Sequence, residues 1–244
     1  MQADYAQAYR ELYYTHWWWR SREDLIVEVL RDCDLSGRRS TILDVGCGDG
    51  LFFDRLSEFG VVEGVEPDVS LLHDEGPHRR DIYTVPFDNA FRPGHTYDVI
   101  LMLDVLEHLR DPESALKHAL TLLAPGGTFV ATLPAFNALW TSHDVINQHV
   151  TRYDRATFRT LAAAAGLRID TARYFFHWVA PVKLAAHVVE AVRPGKRVVP
   201  RLPRVPPPAI NQLLYKFTRL EQRLLRRVSL PFGSSLLVVG GHLG

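Results

Sequence analysis

The chain has 244 residues and no net formal charge at pH 7, since 28 Lys and Arg balance 28 Asp and Glu. Hydrophobic residues make up 47% and charged residues 23%, an ordinary globular composition that excludes a disordered chain, a collagen and a disulfide scaffold. The two cysteines, Cys33 and Cys47, favour a reducing compartment.

The N-terminus and the apolar stretches predict a cytoplasmic protein. Residues 1–10 contain charged side chains and no apolar core, so a signal peptide is not expected. The most apolar stretch, residues 178–192, is interrupted by three polar or charged side chains and is not expected to span a bilayer. Peripheral association with a membrane surface stays open.

Helices and strands alternate along the chain. A helix over residues 4–31 carries an aromatic cluster with three consecutive tryptophans. Short apolar runs bounded by turn residues predict seven strands, at residues 41–45, 61–66, 81–83, 97–103, 128–133, 168–176 and 235–239. Helical spacing and capping residues predict further helices at residues 51–59, 68–73, 112–123 and 154–165.

This alternation predicts an α/β fold with a doubly wound, mostly parallel sheet. Strands separated by helices of about ten residues form βαβ units, and right-handed crossovers leave few other topologies. Ligands of such sheets bind beyond the carboxyl ends of the strands. Residues 46–50, Glu66 and residues 104–108 follow predicted strands and mark the expected site.

A glycine-rich turn after the first strand lies between two acidic residues. Its spacing is Gly-x-Gly-x-Gly, from Gly46 to Gly50, with Asp44 before it and Asp49 within it. A diphosphate prefers a helix N-terminus without a facing anion, so an adenosine-bearing cation such as S-adenosylmethionine fits better. Glu66 follows the second strand, where a carboxylate can accept hydrogen bonds from both ribose hydroxyls.

Five segments in order resemble the class I S-adenosylmethionine-dependent methyltransferases. They are Leu43-Asp44-Val45-Gly46-Cys47-Gly48-Asp49-Gly50, Val65-Glu66-Pro67, Asp81 ahead of Pro86-Phe87, residues 97–100 with 104–109, and residues 123–127. The resemblance covers roughly residues 40–135 and implies a Rossmann-like sheet of seven strands whose last strand is antiparallel. It implies S-adenosylmethionine as cofactor and S-adenosylhomocysteine as product. The pattern is similar to ubiquinone-type and natural-product O-methyltransferases.

The resemblance also implies which residues contact the cofactor: Asp44, Gly46, Cys47, Gly48, Glu66, Pro67, Asp81, Ile82 and Leu103. Residues 16–22 are similar to an N-terminal His-Trp-Trp-aromatic-x-x-Arg segment that covers the cofactor in small-molecule members. By that resemblance, Arg22 pairs with the methionine carboxylate and Trp18 closes the acceptor pocket. The alternative is a helix that packs its tryptophans on the sheet. Cys47 is interpreted as a packed residue rather than a nucleophile.

The loop over residues 134–153 is expected to hold the acceptor, because it follows the fifth strand. A hydroxyl acceptor must lose a proton, and the candidate bases are His108, His143 and His149. The candidate substrate-binding residues are Trp18, Trp140, Asp144, Arg152 and Tyr153. No metal is expected, although His143, Asp144 and His149 form a disfavoured metal alternative. The competing interpretation is a solvated loop.

Four regions divide the chain: an N-terminal helical cap at 1–38, a cofactor-binding core at 39–176, a basic, Pro-rich helical insertion at 177–233, and the last strand of the core at 234–244. The insertion carries eleven basic residues and two acidic ones. Within it, residues 209–228 predict an amphipathic helix with an apolar face and a basic face. We expect the apolar face to pack on the core and the basic face to be solvated. Contact with an anionic membrane or acidic partner, or a homodimer contact, is the alternative.

The predicted activity is methyl transfer to a small-molecule acceptor, at a hydroxyl oxygen. The alternatives are N- or C-methylation of a small molecule and methylation of a lipid-linked or other anionic acceptor at a membrane surface. RNA or protein fits less well and no nucleic-acid partner is expected, because no Asn-Pro-Pro-aromatic tetrapeptide follows the fourth strand. The acidic residues of the cofactor motifs disfavour a non-catalytic binding module.

Overall fold

A computed structural model describes residues 10–33, 35, 40–192 and 204–243, and a sheet of seven strands is its central feature. The strands are β1 (Ser40–Val45), β2 (Gly60–Val65), β3 (Ile82–Tyr83), β4 (Tyr97–Leu103), β5 (Leu123–Pro134), β6 (Leu167–Phe175) and β7 (Ser235–His242). Their order is β3-β2-β1-β4-β5-β7-β6. Only β7 is antiparallel to its neighbours, β5 and β6. The predicted fold class is confirmed.

Within the described residues, seven α-helices with assigned bounds lie between or before the strands. They are α1 (Trp17–Asp32), α2 (Phe53–Leu56), α3 (Pro112–Leu122), α4 (Ser142–Ile146), α5 (Arg155–Ala165), α6 (Val179–Val192) and α7 (Pro208–Leu224). Residues 10–15 are also helical. Local sequence explains α5: the side chains of Asp154 and Thr157 form a capping box, and Gly166 ends the helix at φ 82°.

Alternating side chains of the central strands pack on the two faces of the sheet. Ile100 and Met102 of β4 join the hydrophobic cluster with α3 and α5, whereas Val99 and Leu101 join the cluster with α1. Trp17 and Trp19 are buried in the second cluster. The interpretation that α1 packs tryptophans on the sheet is therefore confirmed for these two residues.

Four predicted elements had the wrong bounds. The N-terminal helix is not continuous, because the His16 side chain caps a new helix by accepting a hydrogen bond from the Trp18 N–H. The predicted helix over 51–59 is reduced to α2, and that over 68–73 to a 3₁₀ turn at Val69–Leu71. β5 begins five residues earlier than expected, because Leu123 pairs with Tyr97 of β4.

The insertion begins and ends at the β6–β7 edge of the sheet and contains α6 and α7. Among the described residues, no helix combines the length and apolar character needed to cross a bilayer. The start of the predicted N-terminal helix lies outside the described residues, as do four basic residues of the insertion: Arg193, Lys196, Arg197 and Arg201.

The expectation that α7 packs its apolar face on the core is wrong. The apolar side chains of that face are 50–70% exposed: Ile210, Leu213, Phe217, Leu220 and Leu224. The buried side chains are polar, because α1 supplies their partners. Arg219 forms an ion pair with Glu28, Asn211 accepts a hydrogen bond from the Trp17 N–H at 2.9 Å, and Gln222 donates to the Ser21 carbonyl at 3.3 Å.

Candidate functional site

The turn after β1 leaves open space beside the backbone. Gly46 and Gly48 have φ values of 72° and 54°, a left-handed conformation that favours glycine. The Gly46 N–H donates to the Val65 carbonyl at 2.8 Å, and a Cβ on Gly46 would lie 2.7 Å from Cγ2 of Val105. A Cβ on Gly48 would meet no atom within 4 Å. A ligand can therefore approach the chain at Gly48.

Glu66 links this turn to the end of β2. Its side chain is buried; one oxygen accepts the Gly48 N–H at 3.1 Å and the other accepts the Asp68 N–H at 2.9 Å. Burial raises the pKa of Glu66, and the two backbone donors lower it. Each carboxylate oxygen has a second lone pair. The group is therefore held in place while it can still accept hydrogen bonds from a ligand.

Asp44, near the end of β1, is a second buried carboxyl group at the turn. Burial raises the pKa of Asp44 to about 7, the charge of Arg22 lowers it, and the charge of Glu66 raises it. A positively charged ligand would stabilise the ionised form of Asp44, whereas a diphosphate would repel it. The electrostatics of the turn therefore favour a cation.

Arg22 of α1 reaches the carboxyl end of β4. Its guanidinium forms an ion pair with Asp104 and lies over the ring of Trp18, 5.0 Å from the centroid. Asp104 has a φ of 58° and accepts a hydrogen bond from Thr132 Oγ1 at 3.1 Å. The structure therefore brings Arg22 and Trp18 to the carboxyl ends of the parallel strands, with Arg22 paired to a carboxylate of the protein. This edge of the sheet is where the cofactor is expected, and we call it the cofactor edge.

The other predicted cofactor residues lie at the same edge. Pro67 follows β2, Ile82 begins β3 and Leu103 ends β4. The Cys47 thiol packs against Gly64, where a Cβ would lie 2.4 Å from Sγ, and burial raises the pKa of Cys47 well above its usual range. This environment disfavours a nucleophilic thiolate. Asp81 is exposed, and its Oδ2 lies 3.9 Å from Nδ1 of His78.

A buried ion pair organises the loop after β5. Asp144 and Arg152 are both buried, and the guanidinium binds the carboxylate through two nitrogens, at 2.8 and 3.0 Å. Arg152 also donates to the Ala135 carbonyl at 2.9 Å. Burial would raise the pKa of Asp144, but hydrogen bonds from His149 and Arg152 hold it well below its usual range. The geometry therefore makes Arg152 a partner of Asp144, with its guanidinium engaged by the protein.

His149 is oriented by the same carboxylate. Its Nδ1 lies 2.8 Å from Asp144 Oδ1, and its ring is perpendicular to that of His108, with centroids 4.8 Å apart. An Nδ1–H donated to Asp144 leaves Nε2 as a proton acceptor. Burial lowers the pKa of His143 to about 4, and Nε2 of His143 lies 2.9 Å from the Asn147 amide nitrogen. Of the three candidate bases, His149 has a carboxylate that fixes its ring.

Glu107 lies beside these histidines and was not selected from the sequence. It is fully buried, and neither carboxyl oxygen has a hydrogen-bond partner within the described part of the chain. Burial and the charge of Asp104 raise its pKa well above the usual range. One ligand atom each from Glu107, His108 and His149 lies within 4.8 Å of the others. These residues, rather than the trio suggested by the sequence, have the spacing that could hold a metal.

The insertion contacts, through α6, the loop over residues 134–153, which we call the acceptor loop after the role expected for it. Glu190 accepts hydrogen bonds from the Ser142 N–H and Oγ, both at 3.0 Å, and His187 Nδ1 lies 2.6 Å from the Trp140 carbonyl. Trp140 therefore lies at the boundary between the loop and α6. Tyr153, in contrast, is buried in the core, and its hydroxyl donates to the Leu106 carbonyl at 3.4 Å.

Lys183 of α6 was also missed as a site residue by sequence reasoning, which counted it as a break in an apolar stretch and as one of the eleven basic residues of the insertion. The side chain is half-buried, and among the described residues it has no hydrogen bond or ion pair. Burial and the charge of Arg152 lower its pKa to about 8, while the charges of Asp144 and Asp104 raise it. The signal available in the sequence for this residue was a single lysine within a mostly aliphatic helix. Lys183 brings positive charge toward the acceptor loop.

Three comparisons place these features among known proteins. A model of the methyltransferase domain family matches residues 12–172. A ubiquinone biosynthesis O-methyltransferase of Paramagnetospirillum magneticum is 36% identical over 107 residues, which cover 41% of this chain and 43% of that protein. The chain thus spans less than half the length of the curated relatives it matches.

Solved structures share the whole fold at low sequence identity. A TehB-like SAM-dependent methyltransferase from Corynebacterium glutamicum has a TM-score of 0.56 at 18% identity, covering 98% of this chain and 97% of that one. The [4+2]-cyclase SpnF has a TM-score of 0.54 at 17% identity, covering 90% and 80%. The fold is therefore shared with proteins described by different reactions, and the site residues must decide the chemistry.

Proposed function

This chain belongs to the methyltransferase domain family, and from that premise we propose that it transfers the methyl group of S-adenosylmethionine to a hydroxyl oxygen of a small molecule. The observation that carries the proposal is the pairing of the Gly48 N–H with the buried Glu66 carboxylate, next to open space. The family and the fold imply this cofactor. The partial match to an O-methyltransferase supports a hydroxyl acceptor.

The residues at the turn fit this cofactor. Glu66 would accept hydrogen bonds from the ribose hydroxyls. The pKa of Asp44 is raised, and a sulfonium or ammonium group nearby would lower it by stabilising the ionised carboxylate. When bound, S-adenosylmethionine supplies an electrophilic methyl carbon attached to a positive sulfur. Arg22 would exchange part of its contact with Asp104 for the methionine carboxylate.

His149 is the proposed base. Nε2 of His149 would take the proton of the acceptor hydroxyl during methyl transfer. Asp144 is a positioning residue, because it fixes the ring through Nδ1 and stabilises the imidazolium that forms. Arg152 in turn holds Asp144. The proposed reaction therefore needs an acceptor hydroxyl near Nε2 of His149.

Lys183 supports an acidic hydroxyl, such as that of a phenol. An ammonium without a protein partner stabilises an oxyanion, and a neutral amine acceptor would gain nothing from it. N- or C-methylation of a small molecule and methylation of a lipid-linked anionic acceptor are the alternatives. We propose a cytoplasmic place of action, with residues 177–233 as the contact for an anionic membrane, an acidic partner or a second copy.

Calorimetric titration with S-adenosylhomocysteine tests the cofactor assignment. Binding is expected, and Glu66→Ala should weaken it by roughly 1–3 kcal/mol because two sets of hydrogen-bond donors lose their acceptor. Absence of binding at millimolar concentration would overturn the proposal. With binding established, mass spectrometry of a panel of phenols, carboxylic acids and amines would identify the methylated class.

A further inference from the structure

α7 is amphipathic, but its orientation is opposite to that of a packed helix in a globular protein. Five of its apolar residues lie within an arc of about 80° at 3.6 residues per turn, and that arc is the exposed one. They are Ile210, Leu213, Phe217, Leu220 and Leu224. The opposite, polar face is buried against α1 through contacts such as Arg219 to Glu28. Contacts with the rest of this chain therefore give the polar face its hydrogen-bond and ion-pair partners. They leave the apolar face exposed to solvent.

α6 has the same orientation. Its first turn packs on the core through Val179 and Ala180. Beyond that turn, its polar side chains, Lys183, His187 and Glu190, recur at helical spacing and are half-buried. The large aliphatic side chains beyond the first turn are 46–69% exposed: Val182, Leu184, Val188, Val189 and Val192. Two helices with inward polar faces are not explained by the folding of the domain, because burial of apolar area normally decides which face of a helix packs.

The two helices meet at Trp178, just before α6. Its ring lies 5.8 Å from that of Phe217, and its Nε1–H donates to Thr218 Oγ1 at 3.1 Å. Its backbone N–H donates to Glu221 at 2.9 Å. Trp178 therefore joins the start of α6 to α7. Exposed apolar surfaces of this kind mark interaction sites.

The charges next to the stripe decide what covers it. Lys216, Arg223 and Arg227 are exposed and have no ion pair within the described part of the chain. Glu221 is directed inward, where it accepts hydrogen bonds from the N–H groups of His177 and Trp178.

A second copy is a poor match for this surface. A two-fold dimer places the same patch on both sides, so the basic residues of one copy would face those of the other. An anionic bilayer offers negative headgroups beside an apolar interior, which matches a row of Lys and Arg along an apolar stripe.

We propose that α6 and α7 form a membrane-docking surface for anionic lipid. The apolar residues of both helices enter the boundary between headgroups and acyl chains, and Lys216, Arg223 and Arg227 lie at the level of the lipid phosphates. The proposal goes beyond the methyl-transfer function, because it depends on this surface and not on the cofactor or the acceptor.

Flotation of the full chain with vesicles tests the docking surface. The vesicles are phosphatidylcholine alone and phosphatidylcholine mixed with phosphatidylglycerol. The chain is expected to float with the mixed vesicles, and less as salt rises. The triple variant Leu213→Ser, Phe217→Ser, Leu220→Ser should lose at least about tenfold in partitioning. Its matched control replaces exposed valines elsewhere: Val61→Ser, Val69→Ser and Val85→Ser.

A variant that lacks the basic side chains measures the electrostatic contribution to vesicle binding. Lys216→Gln, Arg223→Gln and Arg227→Gln together should weaken binding to mixed vesicles about tenfold or more and remove its salt dependence. Arg92→Gln, Lys117→Gln and Arg159→Gln, exposed elsewhere, should leave binding unchanged.

Three outcomes would overturn the proposal. The first is wild-type chain that stays unbound, and the second is equal binding by the serine variant and its control. The third is a dimer, detected by light scattering, that depends on Leu213 and Phe217 while vesicles are not bound. Affinity for S-adenosylhomocysteine should be the same in all variants, so failure of docking and failure of the methyltransferase proposal give different results.

Discussion

Arg22 of α1 and Asp104 at the end of β4 form an ion pair across the cofactor edge of the sheet, although 82 residues separate them in sequence. Asp104 is held for this contact by Thr132 and by a left-handed backbone conformation. The pair therefore couples the position of the N-terminal helix to the strand end on which the site is built.

Breaking this pair should destabilise the fold. Arg22→Ala leaves Asp104 without its charge partner and is expected to lower the free energy of unfolding by about 3 kcal/mol, measured in urea. Asp104→Ala in the same chain should restore part of the loss, because the unpaired charge is gone. Equal and additive losses from the two substitutions would show that the ion pair has no coupling energy.

Asp44 should make the cofactor-free chain less stable as pH rises. The folded pKa is about 7 and the ordinary value is 3.8, so the folded state binds more protons between those values and stability falls from pH about 4 to about 7. Asp44→Asn removes this dependence and should stabilise the chain at pH 8 by on the order of 2–4 kcal/mol. Parallel stability curves for the two proteins from pH 4 to 8 would contradict the raised pKa.

His149 should be needed for turnover and not for cofactor binding. His149→Gln is expected to lower kcat at least about a hundredfold, because the hydroxyl proton loses its acceptor, with little change in affinity for S-adenosylhomocysteine. His143→Gln should retain kcat within a few fold, and His95→Gln serves as the distant control. If His143→Gln shows the larger loss, the base is assigned to the wrong histidine.

Asp144 should affect the pH profile of the reaction as well as its rate. Asp144→Asn keeps the shape of the side chain but cannot stabilise imidazolium, so the acidic limb of kcat should shift to lower pH. A loss of kcat without any shift of the limb would indicate a purely structural role through Arg152.

Glu107→Gln tests the charge state of the buried carboxyl group. Burial raises the pKa of Glu107, so a neutral amide should replace it with a change of less than about 1 kcal/mol in stability at pH 7. Equilibrium dialysis with Mg²⁺, Mn²⁺ and Zn²⁺ is the parallel measurement. Metal binding that Glu107→Gln abolishes would instead assign an ionised carboxylate to a cation shared with His108 and His149.

Lys183 should select for acidic acceptors. Lys183→Met is expected to raise KM for a phenol or carboxylic acid by about tenfold and to leave S-adenosylhomocysteine affinity unchanged. Because the pKa of Lys183 is about 8, wild-type affinity for an anionic acceptor should fall as pH rises through that value, whereas the variant should lack this step. If the KM of an anionic acceptor changes neither with the Lys183→Met substitution nor with pH, Lys183 lies outside the acceptor site.

The sequence predicted the sheet because each strand is a short apolar run ended by a turn residue. It also predicted that Gly46, Gly48 and Glu66 lie together, because they follow the ends of adjacent parallel strands, and the hydrogen bond from Gly48 to Glu66 confirms that placement. It could not show that Asp144 binds Arg152 and His149 together, since those contacts depend on how the loop closes. The orientation of α7 was also inaccessible. Amphipathic spacing shows that two faces differ, and partners on α1, such as Glu28 for Arg219, decide which face is buried.

Phe175 at the end of β6 and Ser235 at the start of β7 are register partners. Residues 176–234 therefore leave the sheet and return to it at one place, and the length of this segment is independent of the strand geometry. An evolving lineage can lengthen, shorten or replace the segment without shifting β1, β2 or β4. Changes confined to this edge of the domain can then leave the strand ends that carry Gly48 and Glu66 in place.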